Sequence, residues 1–163
     1  MTLLDAPPQP SGPEAAASDG RLPTRLWLRL LTCARLIEQE VRGRLRGGFE
    51  TTLPRFDVLA QLQAAGQDLT MGELSARLMV TTGNVTGLID GMEQDGLVER
   101  RPNPSDRRST LIAATAAGEA LFARMAPAHR GWIETLTRDL TRAEMALLYE
   151  LLGKLNESVS RAI

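Results

Sequence analysis

The sequence is poor in the residues on which many enzymes and metal sites depend. Its 163 residues include one cysteine, one histidine and one tyrosine. A single cysteine excludes an internal disulfide and fits a reducing compartment. One histidine and one distant cysteine are too few for a zinc site, which normally has three or four ligands. With no Ser-His-Asp set, phosphate-binding glycine loop or dinucleotide fingerprint in the sequence, we expect no enzyme activity, no cofactor and no bound metal.

Long apolar runs and strong net charge are also missing. No stretch reaches the roughly 18 apolar residues of a membrane span, and the N-terminus lacks a basic region followed by an apolar core. We therefore expect a cytoplasmic protein without a membrane partner. The formal net charge of −1 argues mildly against nucleic-acid binding, because many such domains are basic overall. Residues 97–110 nevertheless have more arginines than acidic groups, namely Arg100, Arg101, Arg107 and Arg108 against Glu99 and Asp106.

The N-terminal part of the chain predicts a tail followed by two helices. Residues 1–21 are rich in proline and small residues, which predicts a disordered tail; the remainder, 22–163, reads as one domain. From Thr24 to about Arg46, apolar residues recur every three or four positions and predict a long helix that ends at Gly47-Gly48. A second helix opens at the sequence TTLP (51–54) and stops at Gly66.

Residues 70–115 carry the clearest pattern in the chain. Thr70 and Glu73 have the spacing of a capping box at the start of a helix. A second helix follows, with Val85, Leu88, Ile89 and Met92 on one apolar face, and Gly96 at its end. Residues 97–101 and 109–115 predict two strands around a loop of turn formers and arginines. This order is a winged helix-turn-helix, for which the expected ligand is duplex DNA.

The C-terminal part predicts two more long helices. Thr115 can cap the first of them, in which Pro127 predicts a kink or a break. Thr141 and Glu144 form a second capping box before the last helix. The apolar faces of the terminal helices, 22–50 and 116–163, exceed what the winged helix (52–115) needs for its own core. We expect a mainly α fold with a small β-wing, in which these helices form a homodimer interface; a larger monomeric core is the alternative.

Several motifs resemble the MarR family of bacterial transcription regulators. They are the order of the helices, the tip Asp106-Arg107-Arg108, the preceding GLVERR (96–101) and the following LIAATAAG (111–118). The resemblance covers roughly residues 22–163. It implies a triangular homodimer with a winged helix in each lobe. It also implies binding to a palindromic operator, usually as a repressor that a small ligand releases.

The second helix of the motif departs from many members of that family. It contains no arginine or lysine and carries Asp90, Glu93 and Asp95, so a winged helix that binds a protein instead of DNA is an alternative. If the ligand is DNA, base contacts must come from short polar groups, because an asparagine suits adenine and a threonine suits the thymine methyl. Phosphate contacts must then come from arginines outside this helix.

The wing adds an arginine pair to this set. Asp106 can brace one arginine while the other enters the minor groove; the family resemblance implies Arg108 as the braced one, and the residues alone leave this open. An ordinary solvated turn is the alternative. The residues predicted to contact DNA are Arg55, Arg77, Thr82, Asn84, Thr86, Gly87, Asp106, Arg107 and Arg108.

Two further sites follow from the resemblance. The stretches RLWLRLLTCARLIE (25–38) and TTLPRFDVLAQL (51–62) are similar to a branch of the family that responds to aromatic acids or their coenzyme A thioesters. The candidate effector pocket comprises Trp27, Phe56, His129 and Trp132; a packed core histidine is the alternative for His129. Cys33 is a candidate redox sensor, but its place on an apolar stripe favours a buried, unreactive thiol.

Overall fold

The computed structural model describes residues 20–106 and 108–162, so the predicted tail (except residues 20 and 21), Arg107 and Ile163 lie outside the described residues. Within these ranges, six helices and three strands confirm the mainly α fold with a small β-wing. None of the helices in this part of the chain has an apolar stretch long enough to cross a membrane. The elements are α1 (Leu22–Phe49), α2 (Leu53–Ala65), β1 (Leu69–Thr70), α3 (Met71–Leu78), α4 (Thr82–Gln94), β2 (Val98–Pro102), β3 (Thr110–Ala114), α5 (Ala116–Leu136) and α6 (Arg142–Ala162).

The chain divides into two units, residues 1–40 and 41–163. The described residues of the first unit form the N-terminal part of α1, where Leu26, Trp27 and Ile37 are exposed. Cys33 is exposed as well. The prediction of a buried thiol is therefore wrong for the single chain, because the apolar stripe of this helix segment is itself exposed. The second unit contains the end of α1 and all the other described elements.

Local capping interactions determine where several helices begin. At α3, the Thr70 hydroxyl accepts a hydrogen bond from the Glu73 backbone N–H at 3.2 Å. The Glu73 carboxylate in turn accepts from the Thr70 backbone N–H at 2.8 Å, and this bond lowers the pKa of Glu73. The same reciprocal pair joins Thr141 and Glu144 at α6. Both predicted capping boxes are confirmed.

The predicted end of α1 at Gly47-Gly48 is wrong, and the helix break expected as one outcome at Pro127 does not occur. α1 continues through Gly47 and Gly48 to Phe49, and the chain turns only at Glu50, where φ is +51°. α5 runs from Ala116 to Leu136 in one piece, with Pro127 inside it. The physical reason is the same in both cases: each helix packs an apolar side chain against the core close to the helix breaker, and this packing outweighs the low helix propensity.

The sheet holds the two halves of the winged helix together. β3 is its central strand and pairs antiparallel with β1 on one side and β2 on the other. Ile112 lies opposite Leu69 on β1 and Arg100 on β2. The strand β1 was not predicted, because two residues are too few to show an alternating pattern.

The start of α5 lies against the end of the helix-turn-helix. The Thr115 hydroxyl donates to the Gly96 carbonyl at 2.6 Å, and the Thr115 backbone N–H donates to the Leu97 carbonyl at 3.1 Å. A Cβ atom at Gly118 would lie 2.1 Å from that Leu97 carbonyl oxygen. Only glycine allows this approach, so the sequence TAAG orients α5 with respect to the wing.

Aromatic side chains form one cluster at the side of the core. The His129 ring lies 4.7 Å from the Phe56 ring and 6.3 Å from the Trp132 ring, measured between centroids. Phe122 packs on Phe56 at 5.7 Å, and Phe49 packs on Trp132 at 6.1 Å. Burial lowers the pKa of His129, because the surrounding rings solvate the imidazolium poorly.

The lowered pKa of His129 makes the stability of the fold depend on pH. The contribution of the neutral histidine is fully present above its unfolded-state pKa of about 6.5, and it is lost as the pH falls through the lower folded-state pKa. We expect the free energy of unfolding, measured with urea, to decrease between about pH 7 and pH 5.5. Because the chain has one histidine, His129→Gln should remove this change, and an equal decrease in the variant would assign it to other groups.

Candidate nucleic-acid interface

The N-terminal half of α4 presents an uncharged polar surface. Thr82, Asn84 and Thr86 are exposed there, while Val85 and Ile89 on the other side of the helix are buried in the core. Gly83 and Gly87, each next to one of these polar residues, are exposed, with open space where a Cβ atom would be. A duplex could therefore approach the backbone of this half of α4 closely.

The three polar side chains on this surface differ in their hydrogen bonds. The Thr86 hydroxyl donates to the Thr82 carbonyl at 3.0 Å, and the Thr82 hydroxyl lies 3.5 Å from that of Ser75. The Asn84 amide has no hydrogen-bond partner among residues 20–106 and 108–162. Asn84 therefore has its donor and its acceptor available for a base edge.

The acidic residues in the C-terminal half of α4, and Asp95 directly after it, are paired with arginines. Arg100 on β2 contacts both Asp90, at 2.6 Å, and Glu93. The hydrogen bond that the Arg100 guanidinium group donates to Asp90 is the main reason why the pKa of Arg100 is raised. Arg55 on α2 contacts Asp95 at 2.6 Å. The negative charge of α4 is thus largely compensated within the protein and separated from the polar half of the helix.

The wing tip is shaped by hydrogen bonds between side chains and the backbone. The Asp106 carboxylate accepts from the backbone N–H of Arg108 at 2.9 Å. The bracing of the Arg108 guanidinium group by Asp106 stays a prediction. The Asn103 amide donates to the Ser109 hydroxyl at 2.7 Å, and its oxygen accepts from the backbone N–H of Ser105 at 2.9 Å. These bonds define the course of the loop on both sides of Arg107, which lies outside the described residues.

A cleft of about 710 Å³ separates the wing from the helices and brings part of the predicted set together. Thr86 lines it from α4, and Asp106 and Arg108 line it from the wing. Arg77 is exposed in the last turn of α3, whereas the guanidinium group of Arg55 is engaged with Asp95. The roles of these residues in DNA binding stay predictions.

Three of the four residues of the predicted effector pocket lie in one aromatic cluster. Phe56, His129 and Trp132 belong to the aromatic cluster, and a second cleft of about 310 Å³ is lined by other residues around Asp68 and Arg101. Trp27 is exposed in the first unit. These contacts match those of a packed core histidine, and the effector role of the four residues stays a prediction.

The sequence interpretation missed the structural role of two arginines. Arg100 and Arg101 were counted as local positive charge, but Arg100 is paired with α4, and Arg101 is paired with Glu99 and with Asp68, at 3.1 Å. The alternation of side chains along a strand could have predicted the position of Arg100. Arg100 lies on the same face of β2 as the apolar Val98, so its side chain has to point toward the helices. Its acidic partners could not be identified without the packing of α4 on the sheet.

Comparison with known proteins identifies the family to which this chain is similar. The MarR family model matches residues 49–109. The HTH-type transcriptional repressor YetL of Bacillus subtilis is 32% identical over 119 residues, which are 73% of this chain and 68% of YetL. The transcriptional activatory protein BadR of Rhodopseudomonas palustris is 29% identical over 150 residues, which are 90% of this chain and 85% of BadR.

Solved structures show the same fold. A cysteine-to-serine mutant of MarR from E. coli in complex with operator DNA superposes with a TM-score of 0.74 and 29% identity, covering 85% of this chain and 99% of that chain. AbsC from Streptomyces coelicolor has a TM-score of 0.76 at 24% identity, covering 84% of this chain and 93% of AbsC, which is a likeness of fold. The family match, the relatives and the winged helix-turn-helix geometry together show that this chain belongs to the MarR family.

Proposed function

We propose that this protein is a transcription regulator that binds a palindromic DNA operator as a homodimer, represses transcription, and is released by a small effector. The observation that carries the proposal is the polar, uncharged half of α4, with the free Asn84 amide, next to the wing cleft that contains Arg108. A base-reading helix flanked by a cationic wing suits a duplex, in which bases and phosphates are contacted separately. The related MarR protein has been crystallised with operator DNA.

The homodimer is supported by α6. Every residue of this helix is exposed in the single chain, although it carries a continuous apolar stripe. Leu148 and Leu152 in the middle of the stripe are 44% and 41% exposed, and a helix of this kind is unfavourable in water until another surface covers it. A second copy also supplies the second winged helix that a palindrome requires, at a half-site spacing of about 34–36 Å. The residues of the stripe are Met145, Leu148, Leu152, Leu155 and Val159.

Repression is the proposed output because YetL, a relative at 32% identity, is a repressor. BadR, at 29% identity, is an activatory protein, so both outputs occur among relatives of similar distance. A repressor needs only to occupy the promoter, whereas an activator also needs a surface for the transcription machinery. The two outputs are distinguished by transcription in vitro from a promoter that contains an operator selected by the protein from random duplexes. A repressor lowers the amount of transcript, and an activator raises it.

Two variants separate base reading from phosphate attraction. Operators are first selected by the wild-type protein from a pool of random duplexes, and a shuffled duplex serves as the non-specific ligand. Asn84→Ala should cost about 1–3 kcal/mol on the selected duplex and little on the shuffled one. Arg108→Ala should weaken both and reduce the slope of log K against log salt by about 0.9, because one phosphate contact is lost. Both effects are measured by fluorescence anisotropy.

The control for these variants is Arg138→Ala, which removes an arginine between α5 and α6 and should change neither affinity nor slope. If Asn84→Ala left the ranking of duplexes unchanged, the base-reading role would be wrong. If the wild-type protein bound no duplex at low salt, a winged helix that binds a protein partner would be favoured instead.

The dimer is tested by placing charge on the apolar stripe of α6. The double variant Leu148→Glu, Leu152→Glu should be a monomer in analytical ultracentrifugation, because two carboxylates cannot be buried unpaired in an apolar interface. It should also lose most of its affinity for the selected operator. Glu150→Ala, on the opposite side of α6, is the control and should remain a dimer. A double variant that stays dimeric would place the interface elsewhere.

The effector is tested with a panel of aromatic acids and their coenzyme A thioesters. A ligand that binds only the native state raises its unfolding temperature, and a releasing ligand also weakens operator binding by the coupling free energy between the sites. We expect one class of the panel to do both, and Trp132→Leu to reduce both effects. A panel that shifts neither the unfolding temperature nor the affinity would contradict this choice of effector.

A further inference from the structure

Arg100 lies where the wing meets α4, the helix proposed to read the bases and called the recognition helix below. In β2 its side chain is on the same face as the buried Val98, and its register partner on β3 is the buried Ile112. Only 29% of its side chain is exposed. The aliphatic part of Arg100 therefore extends along the edge of the core, and the guanidinium group reaches α4.

Three contacts join Arg100 to α4. One guanidinium nitrogen, Nη2, donates to Asp90 at 2.6 Å, and the other, Nη1, donates to Glu93. The backbone N–H of Arg100 donates to the same Glu93 carboxylate at 3.2 Å. Asp90 and Glu93 are three residues apart and thus lie on the same side of the helix. A planar, forked cation can contact both carboxylates at once, which the single ammonium group of a lysine cannot reproduce.

These contacts restrict the rotation of α4 relative to the wing. A helix that packs only through apolar side chains can rotate slightly or slide at small cost, whereas two charge-assisted hydrogen bonds to one residue restrict both motions. After Arg100, the strand β2 continues to Pro102 and into the wing loop. Arg100 therefore links the position of the wing loop to the position of α4. Thr86, Arg100 and Arg108 line the same cleft.

We propose that Arg100 is a positioning residue that sets the sequence discrimination of the protein by fixing α4 relative to the wing, without contacting the DNA. This inference rests on the proposed function of operator binding. The competing role is a direct phosphate contact by Arg100. Its guanidinium group is already engaged by two carboxylates of the same protein, which leaves a phosphate fewer donors and an unfavourable local charge.

The neighbouring residue supplies a matched control. Arg101 follows Arg100 on β2 and also forms ion pairs, but its partners are Glu99 on the same strand and Asp68 before β1. Neither partner belongs to α4. Arg101→Met therefore removes the same charge and a comparable ion-pair network from the same strand, and leaves the link to the recognition helix in place.

The experiment compares Arg100→Met, Arg101→Met and the wild-type protein on the selected and the shuffled duplex over a range of salt concentrations. We expect Arg100→Met to reduce the affinity ratio of the two duplexes by about tenfold. Its affinity for the shuffled duplex and its salt slope should stay close to those of the wild-type protein. Arg101→Met should keep the wild-type ratio.

A second variant tests the same link from the other side. In Asp90→Asn, Glu93→Gln the arginine is present but its charged partners are not, so the affinity ratio should fall as it does in Arg100→Met. The triple variant Asp90→Asn, Glu93→Gln, Arg100→Met should have the same affinity ratio as Arg100→Met, because all of these substitutions remove the same interaction. This variant also decides the question if Arg100→Met fails to fold, which circular dichroism shows.

Three results would overturn the proposal. An unchanged affinity ratio in Arg100→Met would show that α4 is positioned by other contacts. Weaker binding to both duplexes, together with a salt slope reduced by about 0.9, would identify a direct phosphate contact. If the wild-type protein selected no duplex from the pool, the proposed function itself would fail and this inference with it; in the first two cases the proposed function stands.

Discussion

The winged helix-turn-helix depends on the pairing of β3 with strands on both sides. A two-stranded hairpin is marginally stable by itself in water, and β2 with β3 would be such a hairpin without β1. The short strand β1 immediately precedes α3, so its pairing with β3 links the wing directly to the first helix of the motif. The other end of β3 continues through Thr115 into α5, which lies close to the Leu97 carbonyl. One strand thus connects the wing, the helix pair and the long C-terminal helices.

Charge is distributed on this framework so that the recognition helix need not be basic. Its two carboxylates, Asp90 and Glu93, lie in the C-terminal half and contact Arg100 of β2. Asp95, directly after the helix, contacts Arg55 of α2. The N-terminal half of α4 is polar and uncharged, and the exposed Arg108 of the wing lines the same cleft as Thr86 of this half. In the proposed complex, attraction to phosphates would come from the wing and from α3, while base reading would depend on close approach of short side chains. Such a division makes the relative position of helix and wing important, which is the property attributed to Arg100.

The two long C-terminal helices, α5 and α6, differ in what covers their apolar faces. Residues of α5 complete the core of the second unit through Met125 and the aromatic cluster. α6 has the same apolar periodicity, and yet all of its side chains are exposed. The spacing of apolar residues alone could not distinguish α5 from α6. It indicates that one face of a helix has to be buried, but it does not indicate which surface covers that face. The difference appears only when the packing of the single chain is known, and a second copy is the proposed cover for α6.

Local chemistry by itself determined much of this protein. The capping boxes at Thr70 and Thr141, the left-handed Gly66 and Gly96, and the apolar face of α4 depend on neighbours within one or two turns, so the sequence alone predicts them. Features that depend on distant partners were decided by the tertiary structure. These include the passage of α1 through Gly47-Gly48, the unbroken α5 at Pro127, the strand β1 and the pairing of Arg100 with α4. In each case the deciding free energy comes from a residue far away in sequence, which no local pattern contains.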